Sequence, residues 1–478
     1  MKASATRDSL LELIRLGKPI TLRQQLKLTA VLSIPAIVAQ LSTIIMQYID
    51  AAMVGSLGAE ASASIGLMAT STWLFWGLCS SAAMGFSVQV ANRIGANDNA
   101  GAQAVLKQSF VPALVFSLCL CLVGLGISRH LPLWLGADKE IAEPASVYFM
   151  IFAASLPMFQ LNFLAGAMLR CSGNTLFPGI ANVVMCVLDV VFNWFLIFPT
   201  REVSVGGMQL LMPGAGMGVS GAALGTALAE LVAGVVMVVY LWRCNKELNL
   251  KGCTASFRIS RSCLKRAFKI STPLCLEHFL LCGAQVLVTT IVAPLGTVAI
   301  AANAFAVTAE SLCYMPGYGI CEAATTLVGQ SLGASRMKLA RSFANITVLS
   351  GILVMTFMGV VMYFGAPFMM GIITPVHEIC EAGIEVLRIE AFAEPMFAAS
   401  IVAYGVFIGA GDTMIPACMN LGSIWVVRLT LAALLAPVMG LQGVWVAMAV
   451  ELCFRGFIFL WRLKTDRWMH ANKDMFRT

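Results

Sequence analysis

The chain has 478 residues, 59% of them hydrophobic and only 12% charged, with a formal net charge of +7 and a mean hydropathy of +0.85. A soluble domain carries roughly a quarter charged residues, so this composition excludes a soluble globular protein and leaves the bilayer as solvent. The positive charge has no soluble basic domain to carry it, so nucleic acid is not an expected partner, whereas membrane lipids are.

Residues 1–29 interleave Leu10, Leu11, Leu13, Ile14 and Leu16 with Arg15, Lys18 and Arg23. That is the pattern of a short amphipathic helix on the inner membrane surface, not of a cleavable signal peptide. Twelve apolar runs follow, at 30–54, 62–92, 105–128, 144–168, 177–199, 216–241, 266–293, 299–328, 342–364, 384–408, 414–437 and 441–462. Runs of this length cross the hydrocarbon core as helices, which satisfy their own backbone hydrogen bonds there. Between the fifth and sixth runs the Gly-rich stretch 206–218 reads as a solvated outside loop specific to the first half, with a gating lid as the alternative. After the sixth, a basic stretch from Arg243 through Lys251 and Arg261 to Lys269 marks the main break. The expected organisation is an amphipathic cytoplasmic segment 1–29, an N-lobe 30–242, a basic inter-lobe linker 243–265, a C-lobe 266–462 and a cytoplasmic tail 463–478. Segments on one side of the runs hold 25 of the 31 Lys and Arg, against only Arg129, Lys139 and Arg201 on the other. Basic residues stay inside, so both termini are expected in the cytoplasm of a cell with a bacterial-type plasma (inner) membrane.

The halves repeat at a fixed offset of 238 residues. Pro35 recurs as Pro273, Gly58 as Gly296, Gly95-Ala96 as Gly333-Ala334, Pro157 as Pro395 and Asn182 as Asn420. Six runs per half return the chain to its starting side, so the two halves share one orientation. The fold class is therefore an all-α integral membrane protein. Its twelve transmembrane helices form two pseudo-symmetric six-helix bundles, a parallel repeat with its axis along the membrane normal. The seam between such halves is the usual substrate path. Pro35, Pro157, Pro273, Pro316 and Pro395 fall within runs, where a lost N–H permits bending, and are hinge candidates.

Charges inside the runs carry the functional signal, because each costs roughly 2.5–3.5 kcal/mol at mid-span unless it has a partner, a proton or water. The first half has Asp50 and Asp189, whose repeat positions are Val288 and Val427. The scaffold does not require an acid there, which marks this pair as the proton- or cation-coupling site, with Gln47, Tyr48, Asn182 and Asn193 as supporting polar residues. The second half has its own acids. Glu277 with His278, and Glu310, Glu390 and Glu394, are candidates for a second cation or substrate site. Glu390 and Glu394, one helical turn apart, would share a face, either lining a C-lobe cavity or pairing with Arg388 and Arg428. Glu451 and Arg455 read as a structural pair near the inner surface, and Trp73 and Trp76 as either cavity or interfacial residues. Fifteen Cys form no metal or redox spacing, and there is no GxxxxGK[ST], HExxH or GxSxG sequence. An ATP-driven pump on this chain is thus excluded, and no enzyme activity, cofactor or resident metal is expected.

These residues resemble the multidrug and toxic compound extrusion (MATE) transporters over nearly the full chain. The resemblance rests on Asp50-Ala51-Ala52-Met53-Val54-Gly55, on Gln89-Val90-Ala91-Asn92-Arg93-Ile94-Gly95-Ala96 and its copy ending Gln330-Ser331-Leu332-Gly333-Ala334, and on the turns at Gly173-Asn174-Thr175 and Gly411-Asp412-Thr413. Asp50 and Asp189 match the DinF-like branch, while Met185 departs from it where an Asn is common. The resemblance implies a V-shaped pair of bundles. It also implies a monomeric secondary antiporter that exports amphipathic, often cationic drugs or toxic metabolites by alternating access in exchange for inward H+, with Na+ as the other coupling ion. A lipid-linked oligosaccharide flippase of similar lobe layout is the alternative. It would need several in-span cations for a pyrophosphate, whereas acids outnumber cations here.

Overall fold

The computed structural model describes residues 2–205, 208–250 and 259–470. The linker centre 251–258, loop positions 206–207 and tail residues 471–478 lie outside the described residues. In chain order the helices are α1 (Lys2–Arg15), α2 (Leu22–Gly55), α3 (Ala59–Gly95), α4 (Asn99–Ile127), α5 (Leu131–Trp134), α6 (Lys139–Cys171) and α7 (Leu176–Ile197). Strands β1 (Pro199–Val205) and β2 (Met208–Ala215) precede α8 (Val219–Arg243). The second half holds α9 (Arg261–Val292), α10 (Thr297–Gly333), α11 (Met337–Ile373), α12 (His377–Ala391), α13 (Glu394–Gly409), α14 (Met414–Gly422), α15 (Leu429–Met439), α16 (Leu441–Lys464) and α17 (Arg467–His470). Among the described residues, eleven helices are long and apolar enough to cross a membrane, and the pair α12–α13, bent by 61°, makes a twelfth span.

The repeat is visible in the backbone. Left-handed conformations recur at Gly58 and Gly296 (φ 121° and 99°), at Asn97 and Ser335 (60° and 58°), and at Gly173 and Gly411 (91° and 73°). Gly218 and Gly440 (58° and 61°) continue the series at a shorter spacing, because the first half alone carries the β1–β2 hairpin. That hairpin corrects the expected plain loop and adds the one sheet among the described residues to an otherwise helical fold. The alternation Glu202-Val203-Ser204-Val205 supports an extended strand. Arg201 stacks over Trp194 and Phe198, at 4.3 and 3.9 Å from the ring centroids, fixing the hairpin to the end of α7.

Two symmetric contacts form the seam: α2 lies along α10, and its repeat mate α9 lies along α3. The C-terminal ends of α3 and α10 cross at one end of the seam. A Cβ on Gly95 would fall on the Gln330 carbonyl, and a Cβ on Gly333 on the Asn92 carbonyl. Here only glycine permits backbone to touch backbone. The same end of the seam is tied by the Arg170–Glu322 ion pair at 3.4 Å, by Gln40 donating to Glu322 at 3.3 Å, and by Gln330 donating to the Cys171 carbonyl at 2.8 Å.

The five hinge candidates separate. Pro35, Pro157, Pro273 and Pro316 lie inside unbroken helices α2, α6, α9 and α10. Pro395 is the second residue of α13, just past the 61° break. Span eleven is also irregular: a wide π turn at Ser423–Arg428 separates α14 from α15. The matching span α7 is continuous.

The amphipathic α1 rests on protein rather than on a membrane surface. Leu10, Leu11 and Ile14 are buried among Leu28 and Leu32 of α2 and Leu327, Leu339 and Phe343 of the C-lobe. Leu11 fills the notch left by Gly173. Arg7 donates to Asn174 at 3.0 Å and Arg15 pairs with Glu247 at 2.8 Å on the N-lobe side, while Arg336 donates to the Leu13 carbonyl at 3.1 Å on the C-lobe side. α1 therefore clasps both lobes at one face. Burying a leucine side chain stabilises by about 1.5–3 kcal/mol, so Leu11→Glu should undock α1. Tryptic cleavage at Arg15 in the purified protein should then rise by about tenfold or more; unchanged cleavage would mean that α1 is not held by this contact.

Candidate functional site

The N-lobe brings Asp50 and Asp189 together. α2 carries Asp50 and α7 carries Asp189, with Asn193 one turn further along α7. Asn193 Nδ2 donates to Asp50 Oδ1 at 2.9 Å and to Asp189 Oδ2 at 3.1 Å. Asp189 and Asn193 are fully buried, and Asp50 is partly so. Asn193 fits because α8 presents Gly225 to it; a Cβ there would fall on Asn193 Oδ1. Thr226 of α8 faces Asp189. Asp189 Oδ1 and Asn193 Oδ1 are buried without a hydrogen-bond partner.

Of the four expected supporting residues, only Asn193 joins the pair. Tyr48 sits on the opposite face of α2, and its hydroxyl donates across the seam to the Thr308 carbonyl at 2.6 Å. Gln47 is exposed, and Asn182 lies two turns along α7 from Asp189. A third acid, Glu230 on α8, was not singled out in the sequence. It is buried and accepts a hydrogen bond from Asn162 of α6. The signal was present, since Glu230 is the one acid in the sixth apolar run and its repeat position is Leu452.

The C-lobe acids divide into two groups. Glu451 accepts from Ser423 and pairs with Arg428 at 2.8 Å and Arg455 at 3.1 Å. Arg455 also donates to Asn420 at 2.8 Å, and Asn420 donates to Glu277 at 2.5 Å, which Tyr404 also contacts. This network holds two Arg against two Glu, so its charges balance. It lies near mid-span of α16, not near the inner surface as expected, because Arg428 reaches Glu451 from the π turn. Glu277 and His278 do not form one site. Adjacent helical side chains diverge, and His278 packs instead across the seam against Gly77 and edge-on to Trp73, 5.7 Å between centroids.

Glu390 and Glu394 do not share one helix face, because the α12–α13 break falls between them. They pair with neither Arg388, which contacts the Tyr363 carbonyl, nor Arg428. Their four carboxyl oxygens are buried without a partner, and both interact electrostatically with Glu310. Glu310 in turn lines a C-lobe cavity of about 230 Å³, whereas Glu390 and Glu394 do not. Its walls include Tyr314, Tyr318, Phe397 and Trp445, the charged Arg428 and Arg455, and Trp73 from the N-lobe. Val288, the repeat mate of Asp50, also lines it. Trp76 packs on Phe163 instead.

Two repeated helix bundles meeting at a seam, with buried acids in both, define a polytopic membrane transporter fold. The MatE family pattern matches the chain twice, over residues 35–195 and 273–434, and the chain belongs to that family. Among its relatives is "Probable multidrug resistance protein NorM" of Thermotoga maritima, 23% identical over 439 residues and covering 91% of this chain and 92% of the relative. The protein of the same name from Pseudomonas aeruginosa is 25% identical over 432 residues, covering 89% and 86%. Among solved structures, MATE in the straight conformation superposes with a TM-score of 0.84 at 20% identity, covering 98% of this chain and 99% of that one. The outward-facing conformation of a multidrug resistance MATE family transporter does so with a TM-score of 0.84 at 20% identity, covering 95% and 97%. These structures share the fold.

Breaking a balanced buried network leaves a bare charge, at a cost of about 3–5 kcal/mol. Glu451→Gln, which strands Arg428 and Arg455, should sharply lower the thermal stability of detergent-purified protein. Glu394→Gln, which removes a carboxyl with no cation partner, should not. Equal melting of the two variants would contradict this division.

Proposed function

We propose that the protein is a secondary antiporter that exports amphipathic, cationic organic compounds in exchange for inward protons, with Asp50 and Asp189 as the coupling carboxyls. The observation that carries this reading is the amide-bridged pair itself: two facing carboxyls, one shared donor and no cation. Like charges at such a site repel, and a proton relieves the repulsion. The multidrug resistance names of the relatives support export of drug-like compounds. We place the protein in the bacterial cytoplasmic membrane, with the α1 face inside.

The C-lobe cavity suits the substrate. Aromatic faces attract organic cations, and Glu310 supplies an opposite charge on a wall where Arg428 and Arg455 are already paired with Glu451. Its volume of about 230 Å³ is below the roughly 300–1,000 Å³ of typical ligand sites. Trp73 lines it from the other lobe, so a guest held there would touch both halves. α2 links the two sites: one face presents Asp50 to Asn193, and the other presents Tyr48 to the Thr308 carbonyl, two residues from Glu310. A change of charge at Asp50 thus bears on the wall of the cavity through one rigid helix.

Dye efflux from proteoliposomes, with pH and Na+ gradients imposed separately, tests the coupling. Efflux should follow the pH gradient and be lost in Asp50→Asn at unchanged expression; dependence on neither gradient, or normal transport by both Asp50→Asn and Asp189→Asn, would overturn it. Dependence on the Na+ gradient alone would make Na+ the coupling ion. Glu310→Gln should weaken ethidium binding by about tenfold or more, measured by dye fluorescence, while sparing a neutral ligand of similar shape.

A further inference from the structure

Glu230 has no role in the reading above, yet it is the acid nearest the middle of the N-lobe. It sits near the midpoint of α8, one turn beyond Thr226 on the face turned to Asp189, with which it interacts electrostatically. It is 8% exposed and Asn162 is 7% exposed. Asn162 Nδ2 donates to Glu230 Oε2, while Asn162 Oδ1 is buried and accepts nothing.

Among the described residues, no cation acts on this carboxyl. α7 contains no Lys, Arg or His, and α8 has only Arg243, at its end. α6 has Lys139 and Arg170 at its two ends, α2 has Arg23 and Lys27 in its first turns, and α3 has Arg93 in its last. The titratable groups that do face the site are acids and thiols: Asp189 and Cys186 on α7, and Asp50 on α2 beyond them. A proton on Glu230 removes the uncompensated charge and supplies the donor that Asn162 Oδ1 lacks. Leu452 at the matching position shows that the scaffold needs no carboxyl there.

Building on the proton-coupled reading above, we propose that Glu230, held by Asn162, is a second proton-binding site of the N-lobe, distinct from the Asp50–Asp189 pair and loaded and emptied in the same cycle. The pair sits near the hairpin end of α2 and α7, and Glu230 lies further into the membrane. The two sites are close enough for a proton on one to ease ionisation of the other.

The test uses the full-length protein. Dicyclohexylcarbodiimide reacts with protonated carboxyls in apolar surroundings, and peptide mass mapping locates the adduct. Glu230 should be labelled at acid pH and lose about nine-tenths of the label at alkaline pH. It should keep this behaviour in Asp50→Asn, because the site is separate. A label on Glu230 that is absent, or that stays constant with pH, marks a static buried acid and overturns the proposal. In proteoliposomes, Glu230→Gln should roughly halve the protons moved per ethidium exported, whereas an unchanged ratio overturns it. If wild-type export moves no protons while Glu230 still titrates, the coupling reading fails and the binding site stands.

Discussion

A carboxylate in hydrocarbon must find a cation, a proton or water, and every buried acid in this chain is placed by which of the three it has. Glu451 lies between Arg428 and Arg455, Glu322 faces Arg170, and Glu277 is tied through Asn420 to Arg455. These acids hold helices together, and their charge is spent on structure. Among the described residues, Asp50, Asp189 and Glu230 in the N-lobe have neutral polar partners but no paired cation, and the carboxyl oxygens of Glu390 and Glu394 in the C-lobe have no hydrogen-bond partner. Glu310 opens on a cavity. An acid without a paired cation is tolerable when a proton or a positive guest visits it, and the proposed coupling pair falls in this set.

The duplicated scaffold sharpens this sorting. Turns with positive φ recur in register, and the Gly95 and Gly333 crossings are reciprocal copies across the seam. Where the halves diverge, the backbone diverges with the charge. The break between α12 and α13 separates Glu390 from Glu394, and the π turn swings Arg428 toward Glu451. The matching N-lobe helices α6 and α7 run unbroken past Pro157 and Asp189. Proline alone does not break a helix here, since α6 and α10 carry theirs intact. π turns and broken spans commonly sit at functional sites in membrane proteins.

The spans, their number, the repeat and the pairing of Asp50 with Asp189 were all legible in the sequence, because apolar length and internal symmetry are strong signals that survive without coordinates. Side-chain direction was not. Tyr48 follows Gln47 by one residue and precedes Asp50 by two, yet it faces the other lobe; His278 follows Glu277 and leaves its network altogether. A helix turns about 100° per residue, so neighbours in sequence rarely share a site. The hairpin was hidden by its glycines, and α1 looked lipid-facing because amphipathicity does not say what covers the apolar face. Glu230 was missed among many acids, although its repeat mate Leu452 set it apart.

In the antiport reading proposed above, a change at the Asp50–Asp189 pair has to reach the far end of the seam. α2 is the element that spans the distance. Its 34 residues cover about 51 Å at 1.5 Å per residue, with Asp50 near one end and the α1 clasp on Leu28 and Leu32 toward the other. Pro35 lies between them. There the helix lacks one N–H donor, and it is gripped on both sides: Gly179 of α7 approaches the Pro35 carbonyl, where a Cβ would sit at 2.9 Å, and Gly319 of α10 approaches Ile37, where a Cβ would sit at 2.6 Å. Bending there would swing the Asp50 end against α7 while leaving the α1 end clasped, or release the clasp while leaving the acids paired. In the antiport reading proposed above, two such packings of one helix would serve as the moving part.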